Sequence, residues 1–315
     1  MLECAPGGKV VGMRIALGTI PFGTTVDEAT SFAILDRFVE GGGTILDTAN
    51  NYPFWQEGAT GDESEATIGR WLASRRNRDR VVISTKCGAR PSVPGARTLD
   101  AAEGLSAGVI RAAIEGSLRR LGTDHVDVYW AHIDDRSTPL EETVAAFDEL
   151  VLAGKAKEVG ASNHAVWRLE RARSLAAARG GTRYSNVQLR HSYLRPRPGV
   201  RLPEGGHTLV TEELLDYVRS EGDLTLWVYT SLLAGAYAGK PLPEHYDHPG
   251  TTRRLAVLDE VAGELGATRN QVVLAWLRAQ DIIPIVGVSS VAQLEELLVD
   301  VKLDDEQIAR LDAPA

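Results

Sequence analysis

VVISTK (81–86), the amphipathic run 106–120 and VDVYWAH (126–132) decide the fold. Two short, β-branched, nearly continuous apolar runs flank one stretch of helical period. That is a parallel βα unit, because strands running the same way need a crossover between them, and strands covered on both faces lose the polar alternation of an edge. Working outward, the pattern recurs. RIALGT (14–19) precedes helical 26–40, TILDT (44–48) precedes 64–75, VVISTK precedes 106–120 and VDVYWAH precedes 139–153. AKEVGAS (156–162) precedes 164–178, YSNVQLR (184–190) precedes 211–220, LTLWVYT (224–230) precedes 269–279, and IIPIVG (282–287) precedes 291–299. Eight such pairs in 315 residues match a closed (β/α)8 TIM barrel of the α/β class in number and in length. A doubly wound sheet needs fewer. Two segments remain as extra helices, 252–265 and 304–311, and glycines at 41–43, 122 and 154 stop the first, third and fourth helices. With no linker or repeat, residues 1–315 are expected to form one domain. Long loops at 49–63, 87–105, 191–210 and 231–251 follow strands two, three, six and seven. In a barrel these sit at the C-terminal rim, where active sites are built.

Composition narrows the class of function. A formal charge of -9 and a pI near 5.4 argue against a nucleic-acid partner or an anionic membrane surface, which need a positive face. No apolar run is long enough to span a bilayer, and the first 18 residues lack the charged start, apolar core and cleavage site of a signal peptide. Cys4 and Cys87 lie far apart with no CxxC, which suits a reducing compartment, so a cytoplasmic location is expected. Cys87 itself reads as a small buried residue. No GxGxxG follows the first strand, GTIPFG is not followed by Lys and Ser or Thr, and no GxSxG elbow occurs. HYDH (245–248) sits in a Pro-rich loop without further ligands and reads as solvent-facing rather than as a metal site. Trp130, Trp227 and Trp276 fall at core-facing periods, whereas Trp55, in the loop after Tyr52, is a candidate substrate wall.

Four residues at strand ends carry chemistry. Asp47 closes the second strand, Tyr52 follows in its loop, Lys86 closes the third and His132 the fourth. Singly each has a plain structural use as a turn residue, a packing ring or a satisfied histidine. Successive strand ends put them on one rim. A buried ammonium beside a carboxylate is expected to lower a neighbouring phenol from its usual pKa of about 10, so that Tyr52 exchanges protons near neutrality. His132 would then orient a carbonyl oxygen. Only six of the 34 basic residues are Lys, which makes a lysine at the end of an apolar strand worth weighing.

These residues sit within stretches that resemble the aldo-keto reductase superfamily: GGGTILDTANNY (41–52), VVISTK (81–86), VDVYWAH (126–132), TPLEETVAAFDELVLAGKAKEVGASNH (138–164) and IPIVGVSSVAQLEEL (283–297). The likeness covers nearly the whole chain, and leans toward bacterial members and potassium-channel β-subunit-like proteins. It implies a barrel that binds NADP(H) in extended form and passes a hydride between nicotinamide and a small carbonyl substrate. Tyr52 would be the general acid, Lys86 and Asp47 its pKa-lowering pair and His132 the orienting group. Gly18 and Thr19 match the segment beneath the nicotinamide. Ser162, Asn163 and Gln188 match residues that bond the carboxamide, and Tyr229 the aromatic that stacks on the ring. Thr230, Ser231, Leu232 and Gly235 resemble the loop around the pyrophosphate, with Lys240 and Arg253 or Arg254 as candidates to meet phosphate charge. Gly287, Ser289, Gln293 and Glu296 match the adenosine end.

Many NADPH-preferring members carry Arg where Gln293 stands and Asn where Leu297 stands. Others similar to channel β subunits have Ser and Gln at the matching places and use NADP(H). NADP(H) is therefore the expected cofactor, with NAD(H) second. Ile20 in place of an aromatic implies an open pocket beside Trp55. Arg90, Arg97, Arg136, Arg190, Arg195 and Arg197, with Tyr193, make the loops Arg-rich, which suits an oxygenated carbonyl such as a keto sugar; Arg is also a common surface residue. The expected activity is reduction of an aldehyde or ketone. The alternatives are NAD-dependent oxidation of a sugar or secondary alcohol, and a low-turnover NADP(H)-sensing regulatory subunit, against which His132 speaks.

Overall fold

A computed structural model describes residues 14–93, 95–200, 202 and 206–313. Its eight strands are β1 (Ala16–Gly18), β2 (Ile45–Asp47), β3 (Val82–Cys87), β4 (Val126–Ala131), β5 (Ala156–Ser162), β6 (Asn186–Arg190), β7 (Thr225–Tyr229) and β8 (Ile283–Gly287). Each pairs in parallel with the next, and β1 closes on β8. Around them lie α1 (Glu28–Glu40), α2 (Glu63–Arg75), α3 (Ala107–Leu121), α4 (Leu140–Leu152), α5 (Val166–Ala178), α6 (Glu212–Glu221), α7 (Pro249–Leu265), α8 (Arg269–Ala279), α9 (Val291–Leu297) and α10 (Asp305–Asp312). The expected (β/α)8 barrel is the observed fold, and α7 and α10 are the two extra helices. Strand ends differ from the sequence reading by at most two residues, and β5 matches it at both ends. β1 and β2 hold only three ladder residues each.

Side chains alternate across the barrel wall with a period of two. Leu17, Leu46, Ile83, Tyr129, Val159, Leu189, Val228 and Val286 point outward into the layer shared with the helices, and meet residues such as Ile34, Phe38, Trp71, Ile114, Phe147 and Trp276. Each such side chain removed from water contributes about 1.5–3 kcal/mol. The interior is separate and smaller: Ala16, Ile45, Val128, Trp130, Trp227, Ile283 and Ile285 fill it. All three tryptophans read as core are buried. Helix starts follow from their caps, as Asp27 accepts the Thr30 N–H at 2.7 Å and Thr268 with Gln271 forms a reciprocal pair at the start of α8. Gly122 ends α3 at φ 65°, a left-handed value that favours glycine.

Helices α2 and α3 approach so closely that a Cβ on Gly69 would lie 2.0 Å from the Arg120 carbonyl oxygen. Alanine normally gains about 0.5–1 kcal/mol over glycine in a helix interior. Here the obstacle is backbone and cannot swing away, so overpacking wins. Gly69→Ala should lower stability by about 1–3 kcal/mol in urea denaturation, and an unchanged or raised midpoint would show that the two helices slide apart freely.

Candidate active site

Interior positions at the C-terminal ends of the strands are polar where those below are apolar. Register pairs Gly18 with Asp47, Asp47 with Ser84, Lys86 with Trp130 and Ser162 with Gln188, which gathers these positions on the inner face near the rim. The Lys86 ammonium is wholly buried and donates to Asp47 Oδ2 at 2.6 Å and to the Thr48 carbonyl at 2.6 Å. The other Asp47 oxygen accepts from Ser84 Oγ at 2.7 Å and Gln188 Nε2 at 3.2 Å. Ser84 in turn accepts from the Trp130 indole at 2.7 Å. A buried ion pair persists only when its remaining lone pairs and protons are matched, which Ser84, Gln188 and Thr48 do here. Thr19 donates both its amide and its hydroxyl to the Asp47 carbonyl, each at 3.0 Å.

Tyr52 lies across this pair, its ring centroid 5.0 Å from Lys86 Nζ and its hydroxyl 3.5 Å from His132 Nε2. Trp55 meets the Tyr52 ring edge-on at 6.0 Å, and with Ile20 it is among the large apolar side chains left exposed, about 40% and 41% respectively. The four strand-end residues are thus brought together, with the two proposed wall residues beside them or at the mouth.

The electrostatics correct one expectation. Burial, reinforced by the negative charge of Asp47, pushes the Tyr52 phenol well above its ordinary value rather than below it. The reason is geometric: the Lys86 ammonium is committed to Asp47 and Thr48, and its own burial draws it down from the usual lysine value, against the pull of Asp47. His132 is pushed well below the usual histidine value by burial, then by Lys86 and His207, so the ring is neutral near neutrality. Among the described residues its Nδ1 has no hydrogen-bond partner. The cluster therefore presents a proton-bearing phenol and a neutral imidazole at the same place.

Around it the expected nicotinamide residues converge. Asn163, left-handed at φ 60°, donates to the His132 carbonyl and to Ser162 Oγ, both at 3.1 Å, and accepts the Tyr229 hydroxyl at 2.7 Å and the Thr208 amide at 3.2 Å. Tyr229 is thereby fixed with its ring half-buried, as a stacking platform requires. After Thr230 the backbone turns left-handed at Leu233, Ala234 and Gly235. Changes of hand like that between Leu232 and Leu233 gather N–H groups on one side and suit an anion. These residues fit a nicotinamide dinucleotide.

Other expectations fare differently. Ser231 is buried and bonds the Ile285 carbonyl, so its hydroxyl ties β7 to β8. Lys240 and Arg253 are exposed, whereas Arg254 packs over the Tyr193 ring at 5.0 Å and reaches the Leu311 carbonyl. Of the two arginines offered for phosphate, Arg253 is the one facing solvent. Gly287 and Ser289 lie at the far end, where Gln293 Oε1 accepts the Ser289 amide at 2.8 Å. Glu296 is engaged by Thr268 at 2.7 Å and Asn270 at 3.1 Å, and Leu297 is buried.

The loop arginines are largely spent on structure: Arg90 on Asp62 and the Asn50 carbonyl, Arg97 on the Trp55 carbonyl, Arg136 on Asp134, Arg195 on His191 and Arg197 on the Glu244 carbonyl. Arg190 is buried. Of the HYDH segment, Asp247 is exposed, His245 and His248 are half-buried and Tyr246 is buried, and His248 donates to the Arg195 carbonyl at 2.9 Å. Among the described residues no cluster of three metal-ligating side chains occurs, and no helix is long and apolar enough to cross a membrane. Cys87 is buried, and Cys4 lies outside the described residues.

Sequence reasoning passed over Ser84 and gave Trp130 a packing role alone. Ser84 stands two residues before Lys86, hence on the same face of β3, a signal that period two contains. The contribution of His207 and Thr208, reaching over from the β6–α6 loop, had no local signal.

Comparison with known proteins agrees with this geometry. The chain is 32% identical to the uncharacterized oxidoreductase YrpG of Bacillus subtilis, covering 95% of this chain and 90% of the relative. It is 31% identical to norsolorinic acid reductase stcV of Emericella nidulans, covering 96% and 79% respectively. The aryl-alcohol dehydrogenase [NADP(+)] of Phanerodontia chrysosporium is 27% identical over 97% of this chain and 83% of its own. Residues 14–314 match the Aldo/keto reductase family across the barrel, and the chain belongs to that family.

Proposed function

We propose that the protein is an NADP(H)-dependent reductase that converts an aldehyde or ketone to the alcohol, with Tyr52 as the proton donor. The observation that carries this reading is the phenol itself: buried, held protonated, and 3.5 Å from a neutral imidazole above a buried ammonium–carboxylate pair. Reduction adds a hydride to the carbonyl carbon and a proton to its oxygen. The nicotinamide, when bound, supplies the hydride. His132 Nε2 and the Tyr52 hydroxyl converge on the position of the carbonyl oxygen and orient it. Tyr52 gives its proton as charge develops there, and the Lys86 ammonium, 5.0 Å from the ring centroid, offsets part of the cost that burial and Asp47 place on the resulting phenolate. Asp47, held by Ser84 and Gln188, keeps Lys86 charged and fixed.

Oxidation of an alcohol would need a phenolate to receive the proton, and the raised phenol disfavours that near neutrality. Two relatives, a reductase and an NADP(+) dehydrogenase, also fit a carbonyl–alcohol couple. NADP(H) is proposed over NAD(H), with Arg253 and Lys240 available to phosphate charge and Gln293 at the adenosine end. A small aldehyde or ketone is the proposed substrate class and the cytoplasm the proposed location.

The test is loss of NADPH absorbance on offering aldehydes, ketones and keto sugars across a pH series. Turnover should be flat from about pH 6 to 8 and fall only on the alkaline side, because His132 is already neutral and Tyr52 still protonated in that window. An inflection near the ordinary histidine value would remove His132 from its neutral role, and no turnover with any carbonyl would overturn the reading.

A further inference from the structure

Behind the site, on the outer face of β3, a second carboxylate is completely buried. Glu65, in the first turn of α2, accepts Thr85 Oγ1 at 2.5 Å with one oxygen and Arg120 Nε with the other at 2.7 Å. Arg120 continues to Asp62 at 3.2 Å, and Asp62 to Arg90 at 2.7 Å. Arg90 closes the chain by donating to the Asn50 carbonyl at 2.6 Å and the Thr60 carbonyl at 3.1 Å. The last links reach both ends of the segment that carries Tyr52: Asn50 precedes it, and Thr60 and Asp62 end its loop. Beside Glu65, the Ser64 amide donates to the Tyr52 carbonyl at 3.4 Å, and Ser64 Oγ bonds Thr19 and Thr48, the residue whose carbonyl holds Lys86.

We infer that Glu65 is a positioning residue for Tyr52: through Arg120, Asp62 and Arg90 it clamps both ends of the 49–62 loop to β3, and thereby holds the phenol over Lys86. The inference rests on the proposed role of Tyr52. A buried carboxylate is costly unless fully matched, and this one is matched by a two-pronged guanidinium and a hydroxyl, an arrangement far more demanding than an apolar contact. An apolar residue would fill the same space without reaching the loop. The clamp also puts a negative charge one residue along the strand from Lys86, adding to Asp47 in favouring its charged form.

The groups facing Lys86 are Asp47 from β2, Tyr52 from the loop, Glu65 from α2 and His132 after β4. Those sharing the field of Glu65 are Arg120, Asp62 and Arg90 on the chain, with Cys87 on β3 and Tyr129 on β4. Replacing Glu65 by Gln keeps an acceptor for Thr85 but turns an amide toward Arg120. It also removes a charge that favours the Lys86 ammonium. Lys86 then loses its proton more easily, so the alkaline limb of the rate profile must move to lower pH.

The experiment compares wild type with Glu65→Gln, Glu65→Asp and Asp62→Asn. Glu65→Gln is expected to lower kcat by about 10- to 100-fold, the scale of a misplaced reacting group, with NADPH affinity held within about twofold. Its alkaline limb should move down, and Glu65→Asp, which keeps the charge, should restore the limb. Asp62→Asn cuts the chain at its most exposed link, folds independently of any buried-charge penalty, and should lower kcat in the same direction by a smaller factor. Amide exchange in 49–62 should quicken about tenfold in Glu65→Gln whether or not a substrate is known. Unchanged exchange and an unmoved limb would overturn the inference. Faster exchange in a protein whose wild type reduces no carbonyl would instead leave the clamp standing and overturn the assigned function.

Discussion

Tyr52→Phe should lose at least about 100-fold, and up to about 10,000-fold, in kcat for carbonyl reduction while its NADPH affinity stays within a few-fold of wild type. The prediction follows from what the substitution leaves intact. The ring stays 9% exposed against Trp55 and His132, and its contact with Lys86 is made by the face, not the hydroxyl. Packing is thus conserved and one proton is removed. His132 cannot stand in as the acid, since burial keeps it neutral, and the Lys86 protons are directed at Asp47 and Thr48. Stopped-flow measurement of the single-turnover rate would separate this loss from slow cofactor release. Turnover within tenfold of wild type would mean that another group, or water, delivers the proton.

Lys86→Met is expected to cost both stability and activity. It leaves the Asp47 carboxylate buried with Ser84 and Gln188 as its remaining side-chain donors, and removing one partner of a buried pair costs about 3–5 kcal/mol. An unpaired buried carboxylate takes up a proton more readily, so the deficit should shrink as the pH is lowered. The double replacement Asp47→Asn with Lys86→Met removes both charges. It should recover more than half of the lost stability in urea denaturation and none of the lost turnover. A single variant as stable as the double would show that Asp47 finds another cation or water, and that the ammonium matters for chemistry alone.

The barrel was legible because its signal is redundant: eight β-branched runs and eight helical runs constrain one another, and losing a residue or two from β1 or β2 changes nothing in the topology. The catalytic candidates were legible for a related reason, since Asp47 and Lys86 are charged residues closing apolar strands, where nothing but a partner could keep them. What stayed hidden needed distance, not pattern. The commitment of the Lys86 ammonium, which reverses the expected effect on Tyr52, depends on where the Thr48 carbonyl points. Glu65 looks like any helix-opening acid until Arg120 arrives from 55 residues away. The loop arginines look like a receptor for an oxygenated ligand until their partners, such as the Trp55 and Glu244 carbonyls, are seen.

Cys87 ends β3 one residue beyond Lys86, fully covered, with burial raising its thiol far from the reactive thiolate form. Labelling reagents need both access and a thiolate, and neither exists while β3 stays zipped between β2 and β4. The thiol is therefore a built-in stopwatch: its rate of alkylation counts how often the strand bearing the lysine comes loose. With Cys4 replaced by serine, that rate could be read without substrate, cofactor or any assumption about the reaction.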